Sequence, residues 1–74
     1  MTANNNLTPK EKAVQLFNKY YVSILEVNND LSEEIIISVL AKKHALMAVD
    51  EVLEVTSGHI NQFYQKVKNE LSIL

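Results

Sequence analysis

The sequence contains no cysteine, no arginine and no tryptophan, and it has one glycine (Gly58) and one proline (Pro9). Without cysteine there is no disulfide, no thiol nucleophile and no Cys-based zinc site, which fits a reducing compartment. Without arginine the chain lacks the planar fork that ordinarily reads phosphates and bases, and all seven basic residues are lysines. A single glycine leaves no Gly-rich phosphate loop. No run of about eighteen uncharged apolar residues exists, which excludes a membrane-spanning helix. The Met1-Thr2-Ala3-Asn4-Asn5-Asn6 start has neither the basic nor the apolar region of a signal peptide. With a net charge of -2, the expectation is a cytoplasmic protein with neither DNA nor membrane as a partner.

Seventy-four residues make one domain with a small core. Residues 1–7 are polar and Asn-rich and read as a disordered tail. Residues 8–74 read as a single helical domain. Thr8-Pro9-Lys10-Glu11 is a sharp helix start: Thr8 as N-cap, Pro9 in the first helical position, Glu11 closing a capping box. The first helix is predicted over about 9–26, with Ala13, Phe17, Tyr20, Tyr21 and Ile24 on one face. Val27-Asn28-Asn29-Asp30 then breaks the pattern. A second helix is predicted over about 32–56, opened by Asp30 or Ser32 as cap and closed by a left-handed Gly58. Ile35-Ile36-Ile37-Ser38-Val39 is β-branched enough to pass for a buried strand, but no second strand-like segment exists to pair with it. The third helix is predicted from about Gly58 or His59 to Ile73 (about 59–73), with Ile60, Phe63, Tyr64, Val67, Leu71 and Leu74 at three- and four-residue steps and Asn61 on the wet side. The fold class is therefore all-α: a three-helix bundle, or a helical hairpin plus one helix, completed by oligomerisation.

The middle helix organises the rest. At 100° per residue Ala41, Ala45, Ala48, Val49 and Val52 form a line flanked by Leu46, Leu53 and Val55. Small residues at the centre of such a stripe admit a neighbouring helix closely. The opposite face carries Lys43, Asp50, Glu51 and Glu54, with Met47 among them and Leu40 one turn earlier. Between Ile35 and Val55, 14 of 21 residues are apolar, more than a one-sided surface helix needs. Leu40, Ala41, Ala45, Met47, Ala48 and Val52 are accordingly the predicted interface residues, either within the chain or between copies of it.

Side chains that could carry chemistry are few. His44 lies about two turns from Glu51, and a boundary histidine without a catalytic task is the simpler reading of it. Asp50, Glu51 and Glu54 lack an oxygen-rich loop that would make them a cation site. They also oppose the helix dipole, so a positive group, Lys66 or Lys68, is expected beside them. The doublets Tyr20-Tyr21 and Phe63-Tyr64 either plug the core or lay a ring at the rim to stack on a flat ligand such as a base. For that second role the candidate ligand-binding residues are Tyr20, Tyr21, Lys42, Lys43, His44, Tyr64 and Lys68. No nucleophile stands with a base and an orienter, so no catalytic residue, metal site or cofactor is predicted.

Several of these pieces resemble a group of small proteins from Bacteroidetes genomes and their phages and prophages. They are Thr8-Pro9-Lys10-Glu11-Lys12-Ala13, Lys19-Tyr20-Tyr21, Ala41-Lys42-x-x-Ala45-Leu46-x-Ala48-Val49-Asp50-Glu51-Val52 and Tyr64-Gln65-x-Val67-Lys68-x-Glu70-Leu71. They cover about half the chain. Where that group's pattern has cysteine before the Ala-Leu pair, this chain has His44, so no role of a thiol transfers. The resemblance implies a setting, phage or mobile-element accessory genes, and no activity. By analogy with short phage proteins that act by stoichiometric binding, the expected function is non-enzymatic sequestration or inhibition of a host component in the host cytoplasm. The concrete candidates are a cyclic nucleotide immune signal held by a homo-oligomer, or a host protein. The alternative is a protein–protein module or a subunit of a phage assembly, with Met47 and Leu40 docking a partner helix.

Overall fold

A computed structural model describes residues 7–27 and 34–74. The described residues form α1 (Pro9–Val27), α2 (Glu34–Val55) and α3 (Gly58–Ser72), each packed against both of the others. The chain is a three-helix bundle. The Ile35–Val39 run is helical, because its branched side chains find no strand partner and Ile37 is buried in the bundle. Val27, read from the sequence as part of the turn, is the last residue of α1. Of the tail expected at 1–7, residues 1–6 lie outside the described residues, as does the start of the second helix at Asp30 or Ser32, whereas Leu7 is half-buried and lines a groove.

The start of α1 follows from local chemistry. The Thr8 N–H donates to Glu11 Oε1 at 2.9 Å, and the Glu11 N–H donates to Thr8 Oγ1 at 3.1 Å. Two orphan donors of the helix start are thereby satisfied within four residues.

The core is narrow and centred on α2. Ile37, Ala41, Ala45 and Val49 are buried at three- and four-residue spacing, against Ala13 of α1 and Val67 and Leu71 of α3. Leu16, Phe17, Tyr20, Leu46, Leu53, Phe63 and Tyr64 close the edges of this cluster. Small residues in the middle and large ones at the margins let the three helix axes approach closely while the rim still excludes water.

The turn between α2 and α3 differs from the sequence reading. Gly58 does have a left-handed backbone, φ 68°, but it is the first residue of α3 and not the residue that closes α2. The end of α2 is closed by side chains. Thr56 Oγ1 donates to the Val52 carbonyl at 2.7 Å. Asn61, assigned to the wet side of its helix, instead reaches back with Nδ2 to the carbonyls of Leu53 and Thr56, both at 3.1 Å. Gln65 Nε2 in turn donates to Asn61 Oδ1 at 2.6 Å, which fixes the orientation of the amide. Carbonyls that α2 cannot satisfy internally are thus met by the first turns of α3. Asn61→Ala removes these bonds from a half-buried site and is expected to cost about 1–2 kcal/mol, read as a lowered midpoint in urea denaturation. A loss below a few tenths would mean water caps α2 as well as Asn61 does.

Candidate functional site

The predicted ligand-binding residues separate into distinct places once the bundle is folded. Lys42 Nζ donates to the Ser72 carbonyl at 2.8 Å, so its ammonium caps the end of α3. Lys68 Nζ lies 2.9 Å from Asp50 Oδ1, supplying the positive group expected beside the carboxylates of α2. That pair is about half exposed on both sides, so it contributes at most about 1 kcal/mol. Both lysines are engaged within the chain. The Lys42 bond was not legible in the sequence, since its partner lies on another helix.

Tyr20 and His44 do come together, ring centroids 6.1 Å apart and close to perpendicular. With Met47, Ala48 and Glu51 they line a shallow depression of about 290 Å³ between α1 and α2. Its one charged group is a carboxylate. Tyr21 stands apart, its ring tilted against Phe17 at 5.9 Å on the same helix. Lys43 is exposed on the outer face of α2. Tyr64 belongs to a different site: it packs edge-on against Phe63 at 5.3 Å and lines a groove of about 560 Å³ with Leu7, Lys12, Gln15, His59 and Ile60. The two aromatic doublets therefore do not form one stacking platform, and no residue is common to the two hollows.

No family model, no curated protein and no solved structure matches this chain. What the chain can do is read from its own surfaces.

The predicted interface residues divide as sharply. Ala41 and Ala45 are fully buried by the chain's own helices, so they cannot meet a second chain. Ala48 and Val52 are half-buried at the edges of the same seam. Leu40 is half-buried and Met47 is 56% exposed. Around these two, Ile36 and Val39 are also exposed. At 100° per residue Ile36, Val39, Leu40, Lys43 and Met47 span about 100° of arc opposite Ala45. Further along the same face come Asp50, Glu51 and Glu54. The outer surface of α2 is thus apolar in its first half and acidic in its second. Ile36 and Val39 were passed over because the β-branched run was weighed as strand or helix and never placed on a helix face.

Among the described residues no three His, Asp or Glu side chains gather as a metal site, and no helix is long and apolar enough to cross a membrane.

Proposed function

We propose that the protein is a non-enzymatic binding protein that holds another protein through the outer face of α2. The observation that carries this reading is the strip of Ile36, Val39, Leu40 and Met47. The inner face of α2 supplies more of the core than either other helix. A helix that also leaves large apolar side chains in a row on its far side offers a surface suited to another helix.

The chemistry of the strip selects the partner. Lys43 is its one basic residue, and Asp50, Glu51 and Glu54 follow toward the carbonyl end of α2, whose dipole adds negative potential. Lys68 offsets Asp50 alone. The complement is an amphipathic helix with apolar anchors and a basic end. The resemblance described above supports a phage or mobile-element setting, in which such binding would inhibit a host component. Sequestration of a nucleotide at the Tyr20–His44 depression has less support: Lys42 and Lys68 are committed elsewhere, and Glu51 would repel phosphate.

The test compares wild-type chain with Met47→Glu, each immobilised and exposed to a bacterial lysate. The substitution is at an exposed position and should leave stability within about 0.5 kcal/mol. A protein retained stoichiometrically by the wild type and reduced by about tenfold or more on Met47→Glu supports the reading. Identical retention by both chains removes it. Light scattering after size exclusion checks the other occupant, a second copy: a dimer that Met47→Glu dissolves would assign the strip to self-association.

A further inference from the structure

The larger hollow is not explained by the α2 strip and shares no residue with it. It lies where the start of α1 meets the start of α3, and its volume of about 560 Å³ is within the range of small-molecule pockets. Leu7, Ile60, Phe63 and Tyr64 give it an apolar, largely aromatic lining. Its polar residues are Lys12, Gln15 and His59. Among the described residues no Asp or Glu side chain lines it.

The hydrogen-bonding capacity left in the groove is rich in donors, and its one permanent charge is positive. Lys12 Nζ donates to Gln15 Oε1 at 2.8 Å, which uses one of three ammonium N–H bonds and occupies the acceptor end of the Gln15 amide. Two ammonium donors and the Gln15 NH₂ remain. The imidazole of His59 carries at least one N–H in either protonation state, and the Tyr64 hydroxyl supplies another donor. Neither side chain makes a hydrogen bond to any described residue. His59 and Ile60 belong to the first turn of α3, where Ser57 makes no side-chain cap bond, so the partial positive charge of that helix start is not offset by a capping oxygen. An apolar lining beside several unpaired donors, one of them cationic, is complementary to a molecule that is apolar along its body and negative at one end.

We propose that the groove between α1 and α3 binds a small amphipathic anion, an apolar or aromatic body bearing one carboxylate or phosphate. Lys12 holds the anionic group with Gln15 and His59, and Phe63 and Tyr64 contact the body. The shared chemistry covers an acyl carboxylate and a nucleoside monophosphate, and the experiment separates them.

Amide chemical shifts of the full chain, labelled with nitrogen-15, are followed on titration to millimolar decanoate, adenosine monophosphate and the uncharged decanol. The expected result is saturable shifts at Lys12, Gln15, His59, Ile60, Phe63 and Tyr64 with one or both anions. Saturation by decanoate alone assigns the acyl class, and saturation by the nucleotide alone assigns the nucleotide class. Decanol should bind about tenfold more weakly than decanoate if it is the acyl anion that binds. Lys12→Gln should weaken either anion about fivefold, as expected for one solvent-screened charge-assisted bond. The spectrum of the free variant checks that the bundle is intact. The proposal is overturned by no saturable shift with either anion, by saturable binding of decanol as tight as that of decanoate, or by Lys12→Gln binding that matches wild type. Shifts confined to Ile36, Val39 and Met47 would likewise reject the groove, while leaving the α2 reading in place.

Discussion

Leu71→Ala is expected to destabilise the bundle by about 3 kcal/mol, within the range for a fully buried leucine truncated to alanine. Leu71 is 0% exposed and sits in the last turn of α3, packed in the cluster with Ala13, Ala45, Val49 and Val67. A chain of 74 residues has roughly 4–11 kcal/mol of stability in total, so this one change removes a large share of it. For a domain of this size the thermal midpoint should fall by roughly 10–20 °C. Circular dichroism on heating measures it directly. The effect exceeds that of an ordinary core position because the core has few large members: among the described residues the fully buried side chains larger than alanine are Ile37, Leu71, Val49 and Val67. A loss under 1 kcal/mol would show that the end of α3 frays in solution and that the core closes without it.

The opposite change tests the seam itself. Ala45→Leu adds three carbons where α2 meets its neighbours, at a position that is 0% exposed and grouped with Ala13 and Val67. If small residues are there to let the helices approach, the larger side chain forces them apart or into poor rotamers, at a cost of about 1–3 kcal/mol. Met47→Leu, two residues on and 56% exposed, should change stability by no more than about 0.5 kcal/mol. Denaturant midpoints of the two variants, measured side by side, separate packing from helix propensity, since leucine is a good helix former in both. Stabilisation by Ala45→Leu would mean that the seam is loose and that the alanines are there for some other reason.

The parts of this fold that were legible in the sequence are those set by neighbours within a turn or two. The Thr8–Glu11 box spans four residues, so its two hydrogen bonds could be named from the residue types alone. The Ala41–Ala45–Val49 line is a consequence of helical periodicity, and periodicity is visible without knowing what lies opposite. Partners across the bundle were not. Lys42 read as a free cation and is tied to the Ser72 carbonyl on another helix. For the carboxylates of α2 the helix dipole called for a cation but left Lys66 and Lys68 as equal choices, of which Lys68 pairs with Asp50. Asn61 read as solvent-facing because its position on the wheel is polar, yet that position looks onto the carbonyls at the end of α2. The same limit applies to the groove. Tyr64 was singled out, but Lys12 comes from the polar side of α1, 52 positions earlier in the chain, and no spacing rule links the two.

The Asn61 bonds also bear on how the molecule assembles. α2 and α3 are joined by Thr56 and Ser57 alone, and the joint carries its own hydrogen bonds. Bringing these two helices together therefore closes a very short loop, for which the entropy lost is small. In the unfolded chain the step from the end of α1 at Val27 to the start of α2 at Glu34 is longer than that from Val55 to Gly58, so α1 searches a larger volume before it docks. The hairpin of α2 and α3 is expected to be the folding nucleus, with α1 the segment that arrives last and departs first. An encounter with a partner during that interval would find the inner alanine line of α2 uncovered on the side that Ala13 later fills.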